Sequence, residues 1–441
     1  MSSNDPLGLA LSGADPIGLP HYESALRQFQ CYVGDPLASA DAALAASPDF
    51  VMAHLLRAYL HLLGTEPDGL AVARACHASA AALPSNPHER GHIAAVGQLL
   101  EGHWLRAGQT LEDLSIEQPL DTLALQAGHL VDFYTGNSRM LRDRIARALP
   151  AWDDGMPAYH VLLGMHAFGL EETADYARAE AAGRRAVELE PRDGWAQHAV
   201  AHVMEMQCRQ REGIAWMRAT PQAWAADSFF QVHNWWHLAL YHLELDEIDE
   251  VLALFDGPIN GGGSVLALDL VDAAALLWRL HLQGVEVGQR WQGVAERWQP
   301  LSLAGNYAFN DVHAMLAFVG AGRPEAAHAL LEAQQQALRS GADNARFSAE
   351  VGQPVSQAIQ AFGEGNYARV LRLLRPVRNI AQRFGGSHAQ RDLLDLTMIE
   401  AAFRSGQKAL ATALCNERLA LRPQSPLSQR LAKRAERQEA A

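Results

Sequence analysis

Proline recurs along this chain at a nearly constant interval. Four prolines are spaced by 36, 35 and 31 residues, and two more continue the series less evenly: Pro48, Pro84, Pro119, Pro150, Pro191 and Pro221. Proline ends helices, because it lacks the backbone N–H and its ring collides with the preceding turn. Each interval has room for two helices of about 12–16 residues joined by short turns. The spacing therefore predicts helix pairs repeated along the chain.

The repeat length indicates the type of helix pair. A period of about 34 residues is that of the tetratricopeptide repeat. In the segment 175–191, Ala179 and Ala186 take the small positions where two helices of such a repeat touch, and Pro191 ends the unit. Ala and Leu are abundant while runs of β-branched residues are scarce, which favours helices. We predict an all-α fold, a tetratricopeptide-repeat-like α-solenoid in which antiparallel helix pairs form a right-handed superhelix.

The pattern also predicts the organisation of the chain. Residues 1–21 are expected to form an N-terminal extension, and residues 22–421 a continuous array of helix pairs. The charged, Ala-rich residues 422–441 are expected to form a capping helix with a frayed end. The candidate site lies in the region 159–392, where the histidine motifs occur.

Composition limits the partners and the compartment. The net charge of -14 disfavours a nucleic-acid partner and an anionic membrane surface. No stretch reaches 18 apolar residues, so no membrane-spanning segment is expected. The four cysteines are scattered and the N-terminus lacks the features of a signal peptide, so we expect a cytoplasmic protein. The sequence leaves a homodimer open.

Two histidine pairs give the strongest functional signal. Each pair has its members four residues apart, and the pairs start 35 residues from one another: His198 with His202, and His233 with His237. In a helix, a spacing of four places both imidazoles on one face. Packed helices lie about 8–10 Å apart, so imidazoles from two of them can reach one ion through bonds of about 2.0–2.1 Å. The sequence therefore predicts that these four histidines bind a metal ion.

Several ions and two other roles remain open. An all-imidazole set suits zinc or copper, whereas adding Glu205, Asp269 or Asp272 makes a two-histidine, one-carboxylate iron site feasible. The same imidazoles also suit acid–base catalysis without a metal, because they titrate near neutrality. They would equally serve as polar lining of a scaffold groove.

Other motifs add candidates for catalysis and substrate contact. The segment Phe309-Asn-Asp-Val-His313 places polar groups at the start of a predicted helix. Ser387 caps a further helix, in which Arg391 and Asp392 would form ion pairs between repeats or Arg391 would serve as an anion anchor. Trp236 is a candidate wall of a substrate pocket. We predict Glu205, Asp311 and His313 as catalytic residues, and Trp236, Asn310 and Arg391 as substrate contacts.

The histidine motifs resemble those of the tetratricopeptide-repeat-protein-38 family, also called StaR-like. The resemblance rests on Trp195-x-x-His198-x-x-x-His202-x-x-Glu205-Met206 together with His233-Asn-Trp-Trp-His237-x-Ala-Leu. Further motifs follow in family order, namely Asp269-Leu-Val-Asp272, Gly288-Gln-Arg-Trp291, Phe309-Asn-Asp-x-His313 and Gly385-Gly-Ser-x-Ala-Gln-Arg-Asp392. One bacterial branch of the family resembles proteins of peptide-antibiotic gene clusters for which an oxidative role has been suggested.

Three functions follow from these patterns. The first is a metal-dependent enzyme, with oxidation as the favoured reaction, acting on a small molecule in the concave groove of the array. The second is a metal-free acid–base enzyme, such as a hydrolase, that uses the same histidines. The third is a non-catalytic scaffold that binds a peptide or protein. The predicted lining of His, Trp, Asp and Glu favours a closed polar site over a peptide track.

Overall fold

The fold is all-α, as the sequence predicts. The computed structural model describes residues 2–302 and 305–440, and its regular structure there is α-helix with a few short 3₁₀ and π turns and one hairpin. The hairpin pairs β1 (Ser2–Asn4) with β2 (Ala10–Ser12) in antiparallel register, with Ser3 opposite Leu11. Within the described ranges, every helix is too short or too polar to span a membrane.

The chain divides into two compact units. Unit 1 comprises Met1–Val200 with Thr220–Gln231, and unit 2 comprises Ala201–Ala219 with Val232–Ala441. The array predicted for residues 22–421 therefore consists of two compact bodies. Its first helix begins four residues before the predicted start, at Gly18.

Unit 1 contains five helix pairs, in each of which consecutive helices pack against one another. Short connections make such neighbours antiparallel. The helices are α1 (Gly18–Cys31), α2 (Pro36–Ala46), α3 (Val51–Leu63), α4 (Gly69–Ala82), α5 (Pro87–Leu100), α6 (Trp104–Glu117), α7 (Thr122–Tyr134), α8 (Ser138–Ala148), α9 (Tyr159–Glu171) and α10 (Tyr176–Leu189), followed by the first half of α11 (Gly194–Met206).

Unit 2 contains the rest of α11 and most of the remaining helices. They are α12 (Gln210–Ala219), α14 (Gln231–Glu244), α15 (Ile248–Leu254), α16 (Ala267–Leu282), α17 (Arg290–Trp298), α18 (Ala308–Gly320), α19 (Pro324–Ala337), α20 (Asp343–Phe347), α21 (Gln353–Gly363), α22 (Tyr367–Val377), α23 (His388–Arg404), α24 (Lys408–Leu421) and α25 (Pro426–Ala440). The short helix α13 (Pro221–Ala225) belongs to unit 1.

The prolines mark helix ends, as their spacing predicts. Helices α2, α4, α6, α8, α10 and α12 each end two residues before a proline, which is in turn Pro48, Pro84, Pro119, Pro150, Pro191 and Pro221. The residue before a proline avoids the helical conformation, and the proline has no N–H to donate. This rule accounts for the helix end in five of the six pairs. At the sixth, Leu149 before Pro150 keeps helical φ/ψ angles, and α8 passes into a short 3₁₀ turn, Leu149–Ala151.

Small residues allow close helix contact in unit 1. Ala179 and Ala186 of α10 are completely buried, and Ala186 packs in one apolar cluster with Leu163 and Ala196. At Gly183, between the two alanines, a Cβ atom would lie only 2.6 Å from a methyl group of Val200. These close contacts confirm the predicted small positions. Larger side chains there would push the helices apart.

The N-terminal hairpin is fixed to the first helices. The Ser12 N–H donates to Glu89 Oε1 at 2.7 Å, and the Asn86 side-chain amide donates to the Ala10 carbonyl at 2.9 Å. Asn86 and Glu89 also form the capping box that starts α5, so the same two residues begin a helix and hold the hairpin. The residues predicted as an extension thus form a docked element.

Candidate metal centre

Three of the four predicted histidine ligands come together in unit 2. His202 lies on α11, and His233 and His237 lie one turn apart on α14. Their exposed fractions are 0%, 4% and 0%, respectively. One ring nitrogen from each lies within 4.8 Å of the others. These imidazoles are thus clustered and buried, and the sequence predicts that they line a closed polar site in the concave groove.

The fourth predicted ligand, His198, lies in the part of α11 that belongs to unit 1. It precedes His202 by one helical turn and is 2% exposed. Its ring stacks on Phe168 at a centroid distance of 5.2 Å and lies 5.0 Å from the ring of Trp195. Aromatic packing thus holds this imidazole in a fixed orientation.

Two carboxylates orient the imidazoles of α14. His233 Nδ1–H donates to Asp272 Oδ2 at 2.8 Å, and His237 Nδ1–H donates to Glu205 Oε2 at 3.2 Å. When a neutral imidazole carries its proton on Nδ1, its Nε2 atom is unprotonated and has a lone pair that can bind a cation. Carboxylate–histidine pairs of this kind commonly orient the histidine ligands of metal ions. Asp272 and Glu205 therefore prepare both Nε2 atoms to bind a cation.

The two Nε2 atoms face each other. His233 Nε2 and His237 Nε2 are 3.3 Å apart. Two lone pairs at that distance repel unless a cation, either a proton or a metal ion, lies between them. Two ligands of a tetrahedral ion with bonds of about 2.0–2.1 Å are separated by about 3.3–3.4 Å. The observed spacing therefore fits a pair of ligands to one zinc-sized ion.

Burial keeps the imidazoles in the form that binds metals. Desolvation lowers the pKa of His202 and of His237 well below the usual value, and the charge on neighbouring histidines lowers both further. Burial raises the pKa of Glu205 and of Asp272, an effect partly offset by nearby cationic groups. A positive ion among the histidines would favour the ionised carboxylates, so the charges of the site fit a metal ion.

Trp236 and Arg279 pack behind His233. Trp236 is completely buried, and its indole stacks on His233 at a centroid distance of 5.3 Å. The Arg279 guanidinium carbon lies 5.4 Å from the indole centroid, and this side chain donates to the Ala389 carbonyl at 2.6 Å. The structure thus places Trp236 in a cation–π stack that supports His233.

A small charged cavity adjoins the cluster through Glu205. It encloses about 30 Å³, and its wall includes three acids and three arginines, namely Glu205, Glu244, Asp392, Arg279, Arg418 and Arg422. Arg418 donates to Asp392 Oδ2 at 2.9 Å. Burial alone would raise the pKa of Asp392, but Arg418 and Arg422 hold it well below its ordinary value. The cavity has room for ordered water and has polar groups to bind it.

Most of these cavity residues carry no functional signal in the sequence. Arg279 belongs to α16, and Arg418 and Arg422 lie at the end of α24, more than a hundred residues further along the chain. No local spacing connects them. Only the folding of unit 2 brings them together, so a single sequence offers no signal by which they could have been found.

The other predicted catalytic residues occupy separate surroundings. Asp311 Oδ2 accepts a hydrogen bond from Gln334 Nε2 at 3.4 Å, and burial raises the pKa of Asp311 to about 7. His313 Nδ1–H donates to the Phe309 carbonyl at 2.8 Å. Burial lowers the pKa of His313 to about 4, and the charge of Arg279 contributes to this shift. Both groups lie on α18 and are buried, and their catalytic role remains a prediction.

The predicted substrate contacts on α18 and α23 are only partly buried. Asn310 is half-buried near the start of α18. Arg391 donates to the Gly386 carbonyl, and its side chain approaches His388 Nδ1 at 3.4 Å. The charge of Arg391 also helps to lower the pKa of His202, so its guanidinium acts electrostatically on the cluster.

Comparison with known proteins adds distant likenesses. No family model matches the chain. The solved structure of the human IFIT1 dimer with m7Gppp-AAAA aligns over 97% of this chain and 96% of the matched chain, at 15% sequence identity and a TM-score of 0.42. The structure of Naa15/Naa10 bound to HypK-THB aligns with 95% of this chain and 66% of its own, at 10% identity and a TM-score of 0.26. Similarity this low does not transfer a function to this chain.

Proposed function

We propose that this protein is a metal-dependent enzyme whose metal ion is bound by His202, His233 and His237. The observation that carries the proposal is the 3.3 Å separation of two Nε2 atoms whose rings each turn Nδ1 toward a carboxylate. The role of His198 as a fourth ligand stays a prediction from the sequence.

The donor set restricts the ion. Imidazole nitrogens suit zinc, copper and iron, and the carboxylates of Glu205 and Asp272 act here through the histidines. A bound ion of this group would supply Lewis-acid chemistry, and copper or iron would also supply redox chemistry. We favour an oxidative reaction on a small molecule, in line with the family resemblance.

Glu205 is the residue proposed to accept and donate protons during the reaction. Its carboxyl group bonds to His237 and also forms part of the wall of the charged cavity. Burial raises its pKa, so this group can hold a proton nearer to neutrality than an ordinary glutamate. Arg422 and Arg279 partly offset this shift, and ordered water in the cavity would exchange the proton.

A metal-free acid–base enzyme is the second candidate. It is favoured by the same raised pKa of Glu205, beside an imidazole that burial keeps neutral. In that case His237 and Glu205 would exchange a proton directly across their hydrogen bond of 3.2 Å.

Turnover by matched protein samples tests the proposal. The untagged protein is stripped with a chelator, reloaded separately with zinc, copper or iron, and assayed on a panel of oxidation and hydrolysis substrates. We expect turnover with one metal and none in the stripped sample. Equal turnover in stripped and loaded samples would favour the metal-free enzyme. Binding of a peptide without turnover in any sample would favour the scaffold.

A further inference from the structure

Unit 1 contains a second cavity that the metal centre does not use. It encloses about 310 Å³ and lies between the hairpin turn, one face of α1, the start of α9 and the segment that joins α10 to α11. Its wall combines apolar residues, among them Leu7, Leu26, Val33 and Pro157, with a larger number of polar and charged side chains, among them Tyr22 and Gln30. The volume is that of a small-molecule site.

The hairpin turn forms a fixed wall of this cavity. Asp5 Oδ1 accepts the N–H groups of Leu7 and Leu9 at 2.9 and 2.8 Å, which shapes the turn. The bonds from Ser12 to Glu89 and from Asn86 to Ala10 fasten the hairpin to the start of α5. The cavity is therefore preformed, and a ligand need not order the chain in order to bind.

One buried donor on the cavity wall lacks a hydrogen-bond partner. Gln30 is 4% exposed, and among the described residues its Nε2 donates to no acceptor. Such a group destabilises the folded protein unless a ligand or water accepts its hydrogen bond. Gln30 also lines a smaller recess, where Trp195 Nε1 is likewise buried without an acceptor among the described residues. Gln30 therefore borders both spaces, and each space has a buried donor without an acceptor on its wall.

The charged side chains of the cavity wall are mostly acidic, since Asp5, Glu23 and Glu190 outnumber Arg27 and Arg192. Asp193, in the wall of the recess, accepts from His160 Nδ1 at 2.8 Å and from the Ala196 N–H at 2.9 Å. Arg192 lies 3.7 Å from Asp227, and Arg27 lies 4.0 Å from Glu23. An anionic ligand near Gln30 would face the Asp193 carboxylate. The surroundings thus favour a neutral ligand that accepts hydrogen bonds.

We propose that this cavity binds a small neutral molecule with an amide or ring carbonyl, which accepts a hydrogen bond from Gln30 Nε2. The flat ring of such a molecule packs against Leu26, Val33 and Pro157, and a water in the recess links the ligand to Trp195 Nε1. The cavity lies wholly within unit 1, and its wall contains none of the four histidines predicted as metal ligands.

Thermal unfolding with three pairs of probes tests this site in the full-length protein. The neutral probes are nicotinamide, uracil and benzamide, and their anionic counterparts are nicotinate, orotate and benzoate, all at millimolar concentration. We expect at least one neutral probe to raise the Tm of the wild type by about 2 °C or more, and its anion to have no effect. The variant Gln30→Leu should fold and lose this rise.

Two further variants complete the test. Gln98→Leu replaces a half-buried glutamine of the same unit that does not line the cavity, so it should keep the rise. Ser24→Phe fills the cavity from α1 and should abolish the rise even if Gln30→Leu does not fold. The proposal is wrong if no neutral probe raises the wild-type Tm, since the cavity then holds only water. It is also wrong if the rise survives in Ser24→Phe, or if the anions act equally well.

Discussion

The Nε2 atoms of His233 and His237 lie 3.3 Å apart, while the Nδ1 atoms of the same two rings are hydrogen-bonded to carboxylates. This arrangement keeps the protons on the outer side of both rings and directs the lone pairs to a common point. A cluster that served only for packing would gain nothing from facing two lone pairs, because like partial charges at this distance repel. The arrangement is favourable once a cation joins the pair.

The variant His237→Ala tests the metal ligands directly. His237 is completely buried, so its loss should leave a cavity and an unpaired Glu205 and cost the metal-free protein about 2–4 kcal/mol. Added zinc or copper should raise the Tm of the wild type but not that of the variant, because a ligand stabilises only the state that binds it. Differential scanning calorimetry with and without metal measures both effects.

His313→Ala is the matched control for this variant. His313 is also buried in unit 2, and burial likewise lowers its pKa, but it bonds to the Phe309 carbonyl. It should lose a similar amount of stability and keep the rise in Tm with metal. If both variants keep that rise, the ligands lie elsewhere.

Asp272→Asn tests the orientation of a ligand. The amide oxygen still accepts the His233 proton but no longer carries charge, so the fold should persist while metal affinity falls by about 10–100-fold. Competition with a chelator of known affinity measures the change. Asp311→Asn, which neutralises another buried carboxyl group of unit 2, should leave the affinity unchanged. Equal affinities in wild type and Asp272→Asn would remove Asp272 from the site.

The stability of the metal-free protein should fall on acidification. Burial lowers the pKa of His202 and His237 in the folded protein, whereas both should titrate near 6.5 when unfolded. Below about pH 6.5 the unfolded chain therefore binds protons that the folded chain does not, so the free energy of unfolding decreases as pH falls. Between about pH 7.5 and pH 5.5, each such histidine contributes about 1.4 kcal/mol of this loss.

Urea denaturation at these two pH values measures the loss. In His237→Gln, the difference in the free energy of unfolding between the two pH values should be smaller than in the wild type by about 1.4 kcal/mol. An unchanged difference would mean that His237 is already protonated in the folded protein at pH 5.5.

Asp311 should have the opposite pH dependence. Burial raises its pKa to about 7 in the folded protein, against the ordinary value of 3.8. Between those values the folded chain holds a proton that the unfolded chain releases, so stability is lost as pH rises from about 4 to about 7. Asp311→Asn removes this group and should gain stability relative to the wild type, by up to about 4 kcal/mol above pH 7. Equal pH profiles in denaturant titrations would show that Asp311 ionises normally.

The local signals in the sequence predicted the helical repeat well. A proline ends a helix within one or two residues of its own position. Pro48 or Pro191 therefore marks a helix end without any knowledge of the tertiary structure. The small positions Ala179 and Ala186 follow from the repeat in the same way. The division into two compact units has no such local signal, because it depends on contacts summed over many distant residues.

The histidine site could be predicted only in part. The spacing of four residues placed His233 and His237 on one helix face, since that relation is local. The burial of the cluster and the contact of His233 with Asp272 depend on how α14 packs on α16, which spacing does not specify. The same holds for the Gln30 cavity, whose wall includes a hairpin that no repeat pattern predicts.

The most direct test of the metal centre is the metal content of the protein purified without a histidine tag. Inductively coupled plasma mass spectrometry is applied before and after reconstitution, followed by removal of loosely bound ions. We predict about one equivalent of zinc, copper or iron per chain in the wild type, and a loss of that ion in the His202→Ala and His237→Ala variants. Less than about a tenth of an equivalent in reconstituted, folded wild-type protein would contradict the assignment, because a site of three preoriented imidazoles should retain its ion.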